Sequence, residues 1–190
     1  MRRKKDMGNR LKVLDAGDID RIITRMAYEI LETHKGTENL ALIGIQTRGV
    51  FLAKRIQSNI LKAEGIKVPA GIMDITLYRD DWTMIGHNPV VKATEVSFSV
   101  DGKQIVLVDD VLFTGRTIRA AMDAIIDFGR PDRIELAALV DRGFRELPIQ
   151  ADYVGKFVKT NRSDRVNVLL SENNGQDMVV IEQEEVHGDS

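Results

Sequence analysis

Apolar residues along the chain fall into short unbroken runs and longer runs with helical spacing, and the order of the two sets the fold class. Ile19, Ile22, Ile23, Met26, Ala27, Ile30 and Leu31 recur every three or four residues, which predicts an amphipathic helix with Asp18 as its cap. Asn39–Ile45, "NLALIGI", reads as a buried strand, and Val50–Leu61 as a helix with Phe51, Leu52, Ile56 and Ile60 on its apolar side. Ala70–Tyr78 predicts a third strand. The next stretch, "RDDWTMIGHNPVVKA", has two breakers and little periodicity, and reads as a long mobile loop. "EVSFSV" and "KQIVLV" flank Asp101-Gly102, which predicts a tight hairpin. Gln104–Val108 is a buried strand, and Ile118, Ala121, Met122, Ile125 and Ile126 form a helix ended by Gly129 and Pro131. Arg133–Val140, a short "DYVG" strand and two late strands near Val166–Leu170 and Met178–Ile181 complete the pattern. Strands alternating with helices predict a mostly parallel sheet in one α/β domain, with residues 1–10 as a disordered tail.

Composition narrows the class. The 190 residues are 43% hydrophobic and 29% charged, as in a soluble globular protein. No apolar run approaches the roughly 20 residues of a membrane helix. The basic start "MRRKKDMGNR" leads into no apolar run, so no secretory signal is expected. The chain has no cysteine, which excludes disulfides, thiolate metal sites and cysteine nucleophiles and suits a cytoplasmic protein. With a net charge of -2, any nucleic-acid binding must come from a local basic patch. Arg2, Arg3, Lys4 and Lys5 form one, although such a run also reads as a solvated end. His34, His87 and His187 lie far apart and read as surface residues, and no cluster has the spacing of a dedicated metal site.

The chemistry concentrates in "VLVDDVLFTGRT", Val106–Thr117. A strand ends in two carboxylates and a hydroxyl-rich turn just before a helix amino terminus, and in open α/β sheets that crevice is where ligands bind. Gly115 lets the backbone come close to a phosphate, Thr114 and Thr117 offer hydroxyl donors, and Arg116 adds charge. The lysine and long glycine span of a P-loop are missing, as are the three glycines of a dinucleotide fingerprint. Carboxylates beside a phosphate cradle repel the phosphate unless they serve hydroxyls or a divalent metal, so a sugar phosphate with free hydroxyls fits both halves. A helix-capping pair is the competing reading of Asp109 and Asp110.

That stretch resembles the signature of the type I phosphoribosyltransferases, which bind phosphoribosyl pyrophosphate (PRPP). The resemblance implies their fold: a mostly parallel sheet flanked by helices, with a small hood and a flexible lid loop. It implies that Asp109 and Asp110 hold the ribose hydroxyls. The turn Val111, Leu112, Phe113, Thr114, Gly115, Arg116 and Thr117 would hold the 5′-phosphate. "GIQTRG" (Gly44–Gly49) is similar to the loop that holds the pyrophosphate, with Thr47 and Arg48 as donors, and Arg48 joins the two acids as a catalytic candidate. "DITLYRDD" is similar to the start of the lid, with Tyr78 and Arg79 as closing residues. "VDRGFRELPI" and "ADYVGK" resemble one subgroup, the bifunctional pyrimidine-operon attenuator and uracil phosphoribosyltransferase. Phe113 stands where enzymes for hypoxanthine and guanine place an aspartate, which points away from 6-oxopurines.

The subgroup resemblance implies conversion of uracil and PRPP to UMP and pyrophosphate, with Mg²⁺ accompanying PRPP. The base would sit against Arg142, Val154, Gly155 and Lys156, although both charges also read as ordinary surface residues. It further implies binding of pyrimidine-operon leader mRNA in response to UMP or UTP, through a helix face carrying Thr24, Arg25 and Tyr28. Thr24 and Arg25 match the family pattern. Tyr28 and Phe144 stand where histidines are usual and Thr33 replaces an arginine, and each change removes a cation. A homodimer or larger homo-oligomer, without membrane contact, is expected. The alternatives are a purine-salvage enzyme of the same fold and a salvage enzyme that does not bind RNA.

Overall fold

A computed structural model describes residues 10–78 and 94–183. The chain order is β1 (Arg10–Leu14), α1 (Ala16–His34), β2 (Leu40–Ile45), α2 (Arg48–Glu64), β3 (Ala70–Met73), β4 (Gln104–Leu112), α3 (Arg116–Phe128), β5 (Arg133–Asp141), β6 (Tyr153–Phe157), β7 (Arg165–Leu169), α4 (Ser171–Asn174) and β8 (Met178–Glu182). Five strands form a sheet in the order β3-β2-β4-β5-β6, and every pairing in it is parallel. Both faces of this sheet are covered. Leu40, Leu42, Val106 and Val108 pack under α1 and α2, while Ala41, Ile43, Ile105 and Leu107 pack under α3. A strand buried on both sides must be apolar at every position, which is why "NLALIGI" and "QIVLV" are unbroken runs.

A second, antiparallel sheet of β1, β8 and β7 sits beside the first. Its strand β1 contains Arg10, which pairs with Glu182 at 2.7 Å and so is not part of a tail, while residues 1–9 of the expected tail lie outside the described residues. "RLKVL" is too short and too mixed to announce a strand by pattern. Arg55 of α2 fastens the small sheet, donating to Glu172, Ser171 and Asp177 at 2.7–3.0 Å.

Several expectations change. The hairpin at Asp101-Gly102 does not form: Lys103 N donates to Val100 O to close a turn, but β4 has both edges occupied by parallel neighbours. Of the segment before the turn, only Glu95 bridges, antiparallel to Ile72. The third strand stops at Met73, because the Asp74 carboxylate accepts from Thr76 N at 2.9 Å and turns the chain. The cap of α1 is Asp15, and Asp18 completes a capping box, each side chain accepting from the other's N–H. His34 is not a surface residue. Its side chain is wholly buried between Gln104 and Glu135. His87 and His187 lie outside the described residues. No described helix is long and apolar enough to cross a membrane.

Candidate active site

The strand order reverses between β2 and β4, since β2 continues to β3 on one side while β4 leads to β5 on the other. Ligand crevices of open α/β sheets lie at such a point. Here it brings together two loops that are far apart in sequence. After β2 come Gln46 and Thr47, joined by a cis peptide bond, and then the first residue of α2, Arg48. After β4 come the two acids and the turn into α3.

Close packing sets the gap between the loops. A Cβ on Gly49 would stand 2.2 Å from Val108 O, so only glycine lets the start of α2 rest against the end of β4. Arg48 then reaches across, and its guanidinium donates to Asp110 Oδ2 at 3.2 Å. Asp109 lies deeper, at 7% exposure, and its Oδ1 accepts from Asp110 N at 2.9 Å. Burial, and then the charge of Asp110, push the Asp109 carboxyl well above the usual carboxylate range. Gly115 caps α3 and supplies no side-chain acceptor, so the helix begins without a side-chain cap next to Thr114. The Arg48–Asp110 contact thus joins the two loops at the carboxyl ends of β2 and β4, where α2 and α3 begin. The capping reading of Asp109 and Asp110 fails, because both precede the helix by several residues and neither accepts from its first turn.

A profile of the phosphoribosyl transferase domain matches residues 10–169. The bifunctional protein PyrR of Desulfosudis oleivorans is 56% identical over 177 residues, covering 93% of this chain and 98% of that protein. That of Pelotomaculum thermopropionicum is 59% identical, covering 90% and 94%. The chain belongs to the phosphoribosyltransferase family, among the relatives named PyrR. The hypoxanthine phosphoribosyltransferase of Trypanosoma cruzi superposes with a TM-score of 0.70 at 16% identity, covering 95% of this chain and all of that one. The Staphylococcus aureus enzyme gives 0.61 at 19%, covering 80% and 79%. At that identity the likeness concerns the fold.

Beside the phosphoribosyltransferase turn opens a cleft of about 660 Å³, lined by Asp141, Arg142, Arg145, Gln150, Val154 and Val158 among others. Two of the four residues expected around the base lie here. Arg142 is 7% exposed; its guanidinium donates to Asp164 O and Asn161 O at 2.7 Å and stacks over the Phe113 ring, 4.3 Å from its centre. Burial draws its pKa down, partly opposed by Asp164. Its Nε is buried without a hydrogen-bond partner among the described residues. Val154 lines the same cleft. Gly155 and Lys156 are turned away. A Cβ on Gly155 would meet Leu139 O at 2.3 Å and Ile22 at 2.8 Å, so this glycine seats α1 against β6, and Lys156 Nζ reaches Val13 O at 3.5 Å.

The lid and helix-face candidates lie elsewhere. Tyr78 donates its hydroxyl to Asp127 Oδ2 at 2.8 Å, at the carboxyl end of α3 and away from the turn. That bond raises the phenol pKa. Arg79 and Trp82 lie outside the described residues. On α1, Thr24 Oγ1 accepts from Asn59 Nδ2 at 3.4 Å. Arg25 pairs with Glu29 at 2.6 Å and donates to Val154 O and Gly155 O at 3.0 and 2.7 Å. Its guanidinium therefore ties α1 to β6, while Tyr28 is exposed.

Sequence reasoning passed over residues that hold the turn in shape. Arg145 donates to Phe113 O at 2.9 Å and pairs with Asp141. Glu146 N and Leu147 N donate to Thr114 O at 3.0 and 3.2 Å. The "RELP" run carried no periodic signal, because its role depends on folding back over a turn about thirty residues away along the chain.

Proposed function

We propose that this chain transfers the phosphoribosyl group of PRPP to uracil, giving UMP and pyrophosphate, and that it also binds pyrimidine-operon leader mRNA in response to UMP or UTP. The observation that carries the catalytic reading is the contact of Arg48 with Asp110, which joins the loop after β2 to the acid pair and the turn before α3. The PyrR names of relatives above 50% identity point to the pyrimidine branch.

In this reading Asp109 and Asp110 hold the 2′ and 3′ hydroxyls, and Val111–Thr117 with the amino end of α3 holds the 5′-phosphate. Thr47 and Arg48 hold the pyrophosphate, and Arg48 leaves Asp110 as it does so. The C1′–O bond to pyrophosphate breaks, positive charge develops on the ribose ring, and uracil N1 takes C1′ and gives up its proton to the departing pyrophosphate. The acids stabilise that charge from one side, while Arg48 stabilises the leaving oxygens. Uracil enters the cleft, whose wall Arg142 and Val154 line. A purine is excluded by Phe113, which Arg142 stacking holds in place.

The residues fit a magnesium ion. Asp109 is buried with its charge only partly offset, by a backbone N–H and by Arg48, and among the described residues no group of three acids or histidines forms a protein-only cage. Mg²⁺ favours one or two carboxylates completed by substrate oxygens and water, so Asp109 and Asp110 would hold it together with PRPP. Bound there, it would neutralise charge on the departing pyrophosphate.

Incubation with PRPP, Mg²⁺ and uracil, hypoxanthine or guanine should yield UMP alone. IMP or GMP in its place would establish the purine alternative. A gel shift on the pyrimidine-operon leader at low salt, with UMP present, tests the RNA half, and no shift at micromolar protein would leave a catalyst only. A cytoplasmic homo-oligomer completes the reading.

A further inference from the structure

A three-residue clip lies at the mouth of the phosphate turn, and two of its members, Glu146 and Arg162, take no part in the transfer just described. Arg116, the first residue of α3, donates Nε to Glu146 Oε2 at 2.8 Å. The other carboxylate oxygen of Glu146 takes the guanidinium of Arg162, from the loop between β6 and β7. All three side chains are open to solvent in part: 49% for Arg116, 30% for Glu146 and 63% for Arg162. Glu146 is fixed to the turn by its backbone, through Thr114 O. The loop of Arg162 is fixed by Arg142, which holds Asn161 O and Asp164 O. Both arginines are therefore presented by anchored backbone.

Glu146 is thus shared between two guanidinium groups at the edge of an anion cradle. Guanidinium forks match the paired oxygens of phosphate as well as those of carboxylate, and a phosphate brings more charge. Glu146 thus occupies the position that a second phosphate would take, next to one already held by the turn. The two guanidinium groups hold Glu146 ionised by lowering its pKa, so it competes as an anion throughout the neutral range.

We propose that Arg116 and Arg162 form a subsite for the distal phosphates of a uridine di- or triphosphate, with Glu146 as the internal competitor that those phosphates displace. The inference rests on the uridine-nucleotide reading above and adds to it a means of sensing phosphate number. A nucleoside monophosphate fills the turn and leaves the clip closed. A triphosphate opens it, freeing Glu146 and drawing the β6–β7 loop toward α3. The chain thereby distinguishes the product of its own reaction from nucleotides phosphorylated further.

Calorimetry with UMP and UTP in the presence of Mg²⁺ tests this on the full chain. Arg162→Ala should weaken UTP about tenfold and leave UMP within about twofold, because it removes one charge-assisted contact from the distal phosphates alone. Glu146→Gln keeps the backbone bonds to Thr114 and should tighten UTP about tenfold relative to UMP by removing the competing charge. Arg162→Lys, which keeps charge but loses the fork, should fall between wild type and Arg162→Ala. Unfolding temperatures identify any variant that has lost its fold, and the remaining variants then decide. If UMP binds and the UTP-to-UMP ratio stays constant across the folded variants, the clip is only a structural latch and the subsite is refuted. If wild type binds neither nucleotide, the uridine-nucleotide reading itself falls, and the subsite with it.

Discussion

The parallel sheet buries acids toward both of its ends, and two of them, Glu135 and Asp109, are treated in opposite ways. Glu135, near the start of β5, is 6% exposed and well supplied with donors. His34 Nε2 lies 2.7 Å from its Oε2, Tyr153 donates at 3.1 Å and Arg133 at 2.9 Å. Asp109, near the end of β4, is 7% exposed and accepts one backbone hydrogen bond among the described residues, while the nearest guanidinium, Arg48, pairs with Asp110 instead. A buried carboxylate without a partner costs free energy. At the end where Glu135 sits, that cost is cancelled by the protein's own groups. At the other it persists, and a ligand that brings hydroxyls and a cation relieves it.

The sharpest test of this contrast is Asp109→Asn with Asp110→Asn. PRPP affinity should fall by about 4 kcal/mol, roughly a thousandfold, since two charged acceptors are lost at once. Stability should stay level or rise, because an amide costs less to bury than an unpaired carboxylate. Calorimetry and urea unfolding measure both on one preparation. Unchanged PRPP affinity in a folded double variant removes the site assignment.

His34→Ala should do the reverse. It leaves Glu135 buried without its closest donor and opens a cavity, which should cost about 3 kcal/mol of stability. PRPP affinity in the folded fraction should not change. A loss of PRPP binding equal to the stability loss would show that the two ends are not independent.

The difference in legibility between these ends has a physical cause. Asp109, Asp110 and the turn are contiguous, so strand, acids, glycine and helix start could be read as one unit. Arg48 and Thr47 were legible because they too follow directly on a strand. The His34 site is assembled from α1, β4, β5 and β6, and a lone histidine after an amphipathic run carries no sign of a partner about a hundred positions away. The same reason hid Arg145 and Glu146, which act on the turn through backbone contacts. Gly155 packs toward α1 and Lys156 toward β1, which could not be read in advance because alternation along an edge strand tells which residues share a face, but not which face meets a helix. The false hairpin at Asp101-Gly102 came from reading a local turn signal without asking whether the next strand had a free edge.

Two glycine substitutions sharpen the comparison at smaller cost. Gly49→Ala and Gly155→Ala place a Cβ 2.2 Å and 2.3 Å from the carbonyl oxygens of Val108 and Leu139. Both clashes are with backbone, so each should destabilise by about 2 kcal/mol. Only Gly49→Ala displaces Arg48 from the acid pair, so only that variant should also lose about tenfold in PRPP affinity. Equal PRPP affinities in the two variants would detach the start of α2 from the site.

The smallest effect is a pH trend that separates stability from binding. The folded-state pKa of Asp109 is raised well above 3.8, first by burial and then by the charge of Asp110. The folded chain therefore holds this proton more tightly than the unfolded chain does. As pH rises from the ordinary carboxylate range through the raised value, this group's contribution to stability declines, and above that value it is constant. Binding runs the other way, because ribose hydroxyls and a cation require the ionised form. Through the same window PRPP affinity should climb as stability slips. Glu146 does not confuse the trend: Arg116 first, and Arg162 with it, hold its carboxyl below the usual range, so its contribution is lost only at more acid pH. Urea unfolding and PRPP titration from about pH 5 to pH 8 should show opposed slopes, and Asp109→Asn should flatten the stability slope. If wild type and Asp109→Asn share one stability slope, the charge of Asp109 is already compensated, and the two ends of the sheet do not differ in the way the hydrogen bonds indicate.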